Sequence, residues 1–330
     1  MKRVRVAQIG TSKNSHGPSI IASMRKQSDL FEVVGYALPE GERERFPEQM
    51  AAFDGLREMT VDEILNDDTI EAVAIETEEV YLTKYALLAA QHGKHIHMEK
   101  PGGTDALLFK ELIDTVKQHH TVFHTGYMYR YNPAVMELMA RIERGELGEI
   151  VCAEAHMSCY HTDEVRRWLK TFPGGMMFFL GCHLVDLVYR IMGKPEKVLP
   201  LNRSVIGDGA EDYGMAVLMY PQGASFVKTS AAEIGGFSRR QLVVTGTKQT
   251  AEICPLEMFG DEGFHYTEVV YTAETGWADR GETVRTPQYD RYDGMMAAFA
   301  AYVRGERVNP YTYDYEWELY QLVLACCKGE

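Results

Sequence analysis

The first third of the chain alternates short apolar runs with stretches of helical spacing. "RVRVAQIG" is an apolar run that ends in Gly10, and "GPSIIASMRKQ" follows with apolar residues on one helical face. "FEVVGYAL" predicts a second buried strand. "TVDEIL" opens with Thr60 and Glu63 at the spacing of a capping box. "IEAVAIET" predicts a third strand, and the helical stretch from Tyr81 to Gln91 stops at Gly93, a residue suited to a helix C-terminus. "KHIHME", "TDALLFKELIDTVKQ" and "TVFHTGY" continue as strand, helix and strand. Strands separated by helices of this length predict βαβ units in a parallel sheet.

The rhythm changes after Asn132-Pro133, which predict the cap and first turn of a helix running toward Gly145. From Glu149 the apolar positions alternate with period two in "EIVCAEAHMSCY", "YGMAVLMY" and "QLVVTGT". Helical spacing returns at about 181–192, 290–304 and 313–328. Long alternating strands with few helices predict a mostly antiparallel sheet covered on one face. The pattern therefore predicts an α/β protein of two domains, residues 1–126 and 127–330, with a large, mostly antiparallel open sheet in the second.

Composition narrows the partners. The 330 residues are 45% hydrophobic and 25% charged, as in ordinary globular proteins. The formal net charge of −14 and the lack of long basic runs argue against nucleic acid and anionic membranes. Apolar stretches stay short of a membrane span, and the basic start leads straight into the first strand, unlike a signal peptide. Six cysteines without a C-x-x-C pair read as reduced thiols of a cytoplasmic protein. The spacing of His156, His161, His183 and Asp186 is irregular, and no metal site is expected.

The loop "IGTSKNSHG" joins the first strand to the first helix, where a dinucleotide fold needs small residues and free backbone N–H groups. Gly10, Thr11, Ser12, Ser15 and His16 form it, with serines where the usual fingerprint has its second and third glycines. Taken alone, this is also an ordinary strand-to-helix turn. At the end of the second strand, where an acid commonly meets the adenine ribose, stand Leu38 and then Glu40, with Arg43 and Arg45 nearby for a 2′-phosphate. "MEKPGG" ends the fourth strand with Glu99, Lys100 and Pro101, placing a cation at the sheet edge where ligands of open α/β folds bind. The proline restricts the backbone at that lysine.

Together "EKP", "GYMYRYNP", "GELGEIV", "GGMMFFLGCHLVDLVYRIMG", "EDYGMAVLMY" and "VVTGTKQTAEI" resemble the glucose–fructose oxidoreductase / inositol dehydrogenase (Gfo/Idh/MocA) family over nearly the whole chain. The resemblance implies an N-terminal Rossmann dinucleotide-binding domain, NAD or NADP as cofactor, and hydride transfer at a carbinol carbon of a sugar, polyol or cyclitol. It implies Lys100 as the active-site lysine and His183 as the acid/base histidine. Asp186 lies one helical turn after His183, where it would orient the imidazole or serve the helix structurally. Thr77, Glu99 and Lys100 join Gly10, Thr11, Ser12, Ser15, His16, Leu38 and Glu40 on the cofactor side. Tyr127, Arg130, Tyr160, His161, Trp168 and Phe179 join Lys100 and His183 on the substrate side. The family's usual Asp four residues before the histidine is Phe179 here, and its T-P-N is Thr77-Glu78-Glu79, which brings acids toward the cofactor phosphates. These departures keep two alternatives open: a lyase or hydrolase that retains its cofactor, and a binding protein without turnover. A homodimer or homotetramer through the open sheet is expected, since a half-apolar sheet face needs cover.

Overall fold

The structure, a computed structural model, describes residues 2–273, 275–277 and 280–328. The outermost ends of the two expected domains, Met1 and Gly329–Glu330, lie outside the described residues. In chain order the first run is β1 (Val4–Ile9), α1 (Gly17–Lys26), β2 (Phe31–Ala37), α2 (Glu42–Arg45), α3 (Val61–Asn66), β3 (Ala72–Ile75), α4 (Leu82–Gln91), β4 (His95–Met98), α5 (Ala106–His119) and β5 (Phe123–Thr125). Its five strands lie in the order β2-β1-β3-β4-β5, and every pair is parallel. The apolar runs explain this arrangement. All four residues of β3 and the last three of β4 are buried, as strands covered on both faces must be. The predicted capping box closes α3: Thr60 Oγ accepts from the Glu63 N–H and the Glu63 carboxylate accepts from the Thr60 N–H.

The second run is α6 (Pro133–Glu143), β6 (Ile150–Ser158), α7 (Asp163–Trp168), α8 (Cys182–Met192), β7 (Lys197–Pro200), β8 (Tyr213–Tyr220), β9 (Gly223–Ser230), β10 (Gln241–Gly246), β11 (Thr250–Ile253), β12 (Met258–Phe259), β13 (His265–Tyr266), β14 (Glu268–Thr272) and β15 (Glu282–Arg285). Eight of its strands form one sheet in the order β15-β14-β11-β10-β6-β9-β8-β7. Only the β6–β9 pair is parallel. The period-two pattern sets the faces. Gly214, Ala216, Leu218 and Tyr220 of β8 are buried, while the residues between them are not. α8 packs against β6 and β9.

The chain ends with α9 (Asp293–Val303) and α10 (Tyr313–Lys328). The compact units are Met1–Met128 with Tyr292–Glu318, and Tyr129–Arg291 with Leu319–Glu330. The expected division at 126 ran the second domain straight to the C-terminus. The structure instead returns Tyr292–Glu318 to the first unit, where Asp293 accepts from Ser23 Oγ at 2.7 Å. Helical periodicity shows that a face is apolar and is silent on which sheet that face covers.

Candidate active site

The first candidate region is built at the carboxyl ends of β1, β3 and β4. Gly10 has φ +87°, and a Cβ there would fall 2.7 Å from the Thr77 backbone nitrogen. Only glycine permits that close crossing of the β1 and β3 ends. The serines that replace glycine tie the turn to itself: the Ser12 N–H donates to Ser15 Oγ and the Ser15 N–H to Ser12 Oγ, both at 3.0 Å. His16 precedes α1 without a side-chain cap among the described residues, and Pro18 sits in the first turn. These features fit a phosphate-binding turn opening a helix.

Beyond β2, Glu40 and Gly41 both take left-handed backbone, with φ 62° and 69°. This double reversal sends the two nearby acids in different directions. Glu40 accepts from Lys84 Nζ at 2.6 Å and from Tyr85 Oη at 2.8 Å, and both contacts lower its pKa. Glu42 is fully buried and accepts from the Thr11 N–H at 3.2 Å. Leu38 is half-buried. Arg43 is held by Glu58 and Tyr36, and Arg45 by Glu78.

Lys100 is 2% exposed rather than a flexible surface cation. Its Nζ lies 3.7 Å from Glu99 Oε1, and His16 Nδ1 lies 3.5 Å from Glu99 Oε2. Burial works against the Glu99 charge, but His16, Lys100 and His97 together hold its pKa below the ordinary value. The neighbouring acids behave oppositely. Burial, reinforced by Glu99 and Glu79, drives Glu76 well above the usual carboxylate range. Burial pushes Glu79 up to about 7, with Lys100 opposing. Among the described residues neither carboxyl of Glu76 or Glu79 has a hydrogen-bond partner. His97 Nδ1 meets His124 Nδ1 at 2.8 Å, and burial lowers His97 to about 4. Thr77 is buried beside this group. Of these residues, sequence reading did not single out Glu42, Glu76, His97 and His124. Glu76, His97 and His124 were signalled as polar residues within or just after otherwise apolar strands, whereas Glu42, in the polar run "GERER", carried no such signal.

The second region belongs to the other unit. His183 is the second residue of α8, which follows directly on a π-helical turn, Met177–Gly181, a device that recurs at functional sites. His183 is buried, and the ring of Tyr129 meets it edge-on with centroids 5.3 Å apart. Asp186 is taken by Arg130, whose Nε reaches both carboxylate oxygens at 3.0–3.1 Å and whose Nη2 reaches Oδ1 at 2.7 Å. This bidentate pair is fully buried. Phe179 packs among aromatic rings: Trp168 edge-on at 4.9 Å, Phe172 stacked at 6.3 Å and His161 at 6.3 Å. Tyr160 is 68% exposed. His161 is half-buried, its Nε2 3.1 Å from Cys159 Sγ, and burial, with Arg240 adding to it, lowers its pKa. Arg240, which sequence reading passed over, also donates to Tyr129 Oη at 3.3 Å. Of the expected substrate-side residues, Tyr127 and Lys100 belong to the first unit, and Arg130, Tyr160, His161, Trp168, Phe179 and His183 to the second.

Residues 4–127 match the family profile described as oxidoreductase family, NAD-binding Rossmann fold. Residues 135–252 match that of the GFO/IDH/MocA C-terminal domain. The chain is 30% identical over 175 residues to the uncharacterized oxidoreductase YhhX of Escherichia coli, covering 52% of this chain and 49% of that one. It is 27% identical over 198 residues to trans-1,2-dihydrobenzene-1,2-diol dehydrogenase of Bos taurus, covering 58% and 57%. These matches thus span about half the length of either relative. Among solved structures, KijD10 of Actinomadura kijaniata, a 3-ketoreductase in complex with NADP and TDP-benzene, superposes with a TM-score of 0.80 over 98% of this chain and 97% of that one, at 17% identity. The two profiles describe consecutive parts of one architecture, and both fall on the units that the structure separates. The chain belongs to the Gfo/Idh/MocA family of oxidoreductases, with NAD or NADP as the cofactor of its Rossmann fold.

Proposed function

We propose that this protein is a nicotinamide-dependent dehydrogenase acting on the CH–OH carbon of a sugar, polyol or cyclitol. When bound, the nicotinamide ring supplies the site that accepts or returns hydride. The Gly10–His16 turn and the start of α1 would hold the pyrophosphate, and Glu99 and Lys100 the end nearer the reacting carbon. Lys100 is the observation that carries the reading: a buried ammonium at the end of a central parallel strand, close to a carboxylate kept ionised by its neighbours. Such a cation stabilises the alkoxide that develops as hydride leaves. His183 takes the hydroxyl proton, a task suited to imidazole near neutral pH. Arg130 and Asp186 neutralise each other, so Asp186 serves to anchor α8 beneath His183.

The Phe179 cluster favours a substrate that presents an apolar ring face beside the reacting carbinol. Trp168, half-buried and backed by the buried rings of Phe179 and Phe172, supplies aromatic surface, which would stack on the C–H face of a sugar or cyclitol. The same wall would accept a carbinol on a wholly apolar ring, a second reading that the dihydrobenzenediol dehydrogenase likeness also supports. The half-exposed face of the large sheet, including Met215, Val217, Val243 and Val270, is the surface expected to receive a second copy of the chain.

The test is a panel of sugars, cyclitols, linear polyols and cyclic dihydrodiols assayed with NAD⁺ and NADP⁺. Lys100→Ala should lower turnover of the best substrate about 10²-fold or more, and His183→Ala should abolish it, with both variants folded by circular dichroism. Near-wild-type turnover by Lys100→Ala would overturn the assignment.

A further inference from the structure

We infer that Glu42, rather than an acid at the end of β2, receives the adenine-ribose hydroxyls and makes this protein select NAD(H) over NADP(H). The inference rests on the dinucleotide reading above and refines it. The usual position for a ribose-binding acid, just after β2, holds Leu38. Glu40 is occupied elsewhere by Lys84 and Tyr85. The left-handed pair Glu40-Gly41 turns the chain back, so that Glu42 reaches the phosphate turn and takes the Thr11 N–H with Oε2. The other oxygen, Oε1, is buried and has no hydrogen-bond partner among the described residues, nor has the buried Thr11 Oγ1. A fully buried acceptor left unsatisfied costs stability unless something donates to it. In the empty protein burial disfavours the ionised form of this carboxyl, and two ribose O–H donors would satisfy Oε1 and let Glu42 ionise on binding.

The chemistry of that donor separates the two cofactors. A ribose with free 2′- and 3′-hydroxyls offers two O–H donors to Glu42. A 2′-phosphate removes one donor and adds negative charge beside an acceptor. The charged groups around Glu42 reinforce the choice: Glu78 and Glu40 disfavour further negative charge there, and Arg45 opposes them. Arg45 is already paired with Glu78, and Arg43 with Glu58 and Tyr36. A 2′-phosphate would have to compete with these carboxylates for both arginines.

Fluorescence titration of the full chain, stripped of nucleotide, with NADH and NADPH tests this, with ADP-ribose and 2′-phospho-ADP-ribose as competitors that probe the adenine side alone. NADH should bind at least about tenfold more tightly than NADPH, and ADP-ribose more tightly than its 2′-phosphate. Glu42→Ala should weaken NADH about tenfold or more, the scale of a hydrogen bond to a charged group, and NADPH less than threefold. Glu42→Gln keeps the side-chain shape and should move NADH in the same direction, so the outcome does not depend on the alanine variant folding. NADPH binding as tightly as NADH, or an unchanged NADH affinity in Glu42→Gln, overturns the inference while leaving the dinucleotide reading in place. Failure of all four ligands to bind overturns both.

Discussion

Three buried acids in each unit are treated in opposite ways, with Glu99, flanked by His16 and Lys100, standing apart in the first. In Tyr129–Arg291 the deeply buried carboxylates Asp186, Asp212 and Glu257 are each held by arginine. Asp186 has Arg130, and Asp212 has Arg166 at 2.8–2.9 Å together with the Val205 N–H at 2.7 Å. Glu257 has Arg291 and the Tyr129 hydroxyl. In the Rossmann unit, Glu42, Glu76 and Glu79 are just as buried, yet each has at least one carboxyl oxygen with no hydrogen-bond partner among the described residues. A carboxylate forked to a guanidinium is finished as a piece of structure. An unsatisfied one lowers the stability of the empty protein and is a sign of a place built for something else. The contrast separates scaffold from binding site using charge and burial alone.

The largest effect should come from breaking a finished pair. Arg130→Ala leaves Asp186 charged and buried, a change that typically costs about 3–5 kcal/mol. Chemical denaturation should register that loss, and a cost below about 1 kcal/mol would remove the distinction between the two regions.

Removing an unfinished acid should have the opposite sign. Burial pushes Glu79 up to about 7 from an ordinary 4.5, against the pull of Lys100. Its folded pKa is raised, so its contribution to stability is full below pH 4.5 and is lost as pH rises through about 7. The full span is worth about 3 kcal/mol on the linkage relation. Glu79→Gln cannot ionise. Its stability relative to wild type should therefore be greater at pH 8 than at pH 4.5, by about 1–3 kcal/mol. Melting curves of the nucleotide-free protein at the two pH values measure this, and a difference that does not change with pH would contradict it.

The smallest effect concerns ligand and proton together. Burial pushes Glu42 up to about 9, although the Thr11 N–H pulls the other way. Hydroxyl donors favour its ionised form, so NADH binding should release a proton. Affinity should then rise a few-fold between pH 7 and pH 9. Glu42→Gln should flatten that slope. A slope unchanged in the variant would mean that the proton comes from another group.

Much of the fold was legible in the sequence. Alternation of period two and helical spacing separated the parallel from the antiparallel half, because those rhythms are set by which faces are buried. The capping box at Thr60 and Glu63 and the Asn132 cap were readable because capping is local, spanning three or four residues. Lys100 and His183 were singled out through family motifs, and their burial is what the structure adds. The partner of Arg130 was not, since it lies 56 positions away. The assignment of α9 to the first unit was hidden for the same reason: an apolar helix face carries no address.

The sequence by itself determined the elements, their order, the small-residue turn after β1 and the cation at the end of β4. These depend on local backbone preference and on the burial period of each segment. Only the tertiary structure decided which acids were paired and which were not. Glu40 and Glu42 are two residues apart and chemically alike. One reaches Lys84 and Tyr85, the other the Thr11 N–H, because two left-handed residues reverse the chain between their side chains. A carboxyl's charge state and role follow from what surrounds it in space, and folding brings those surroundings from β1, β3 and α4, far apart in the chain.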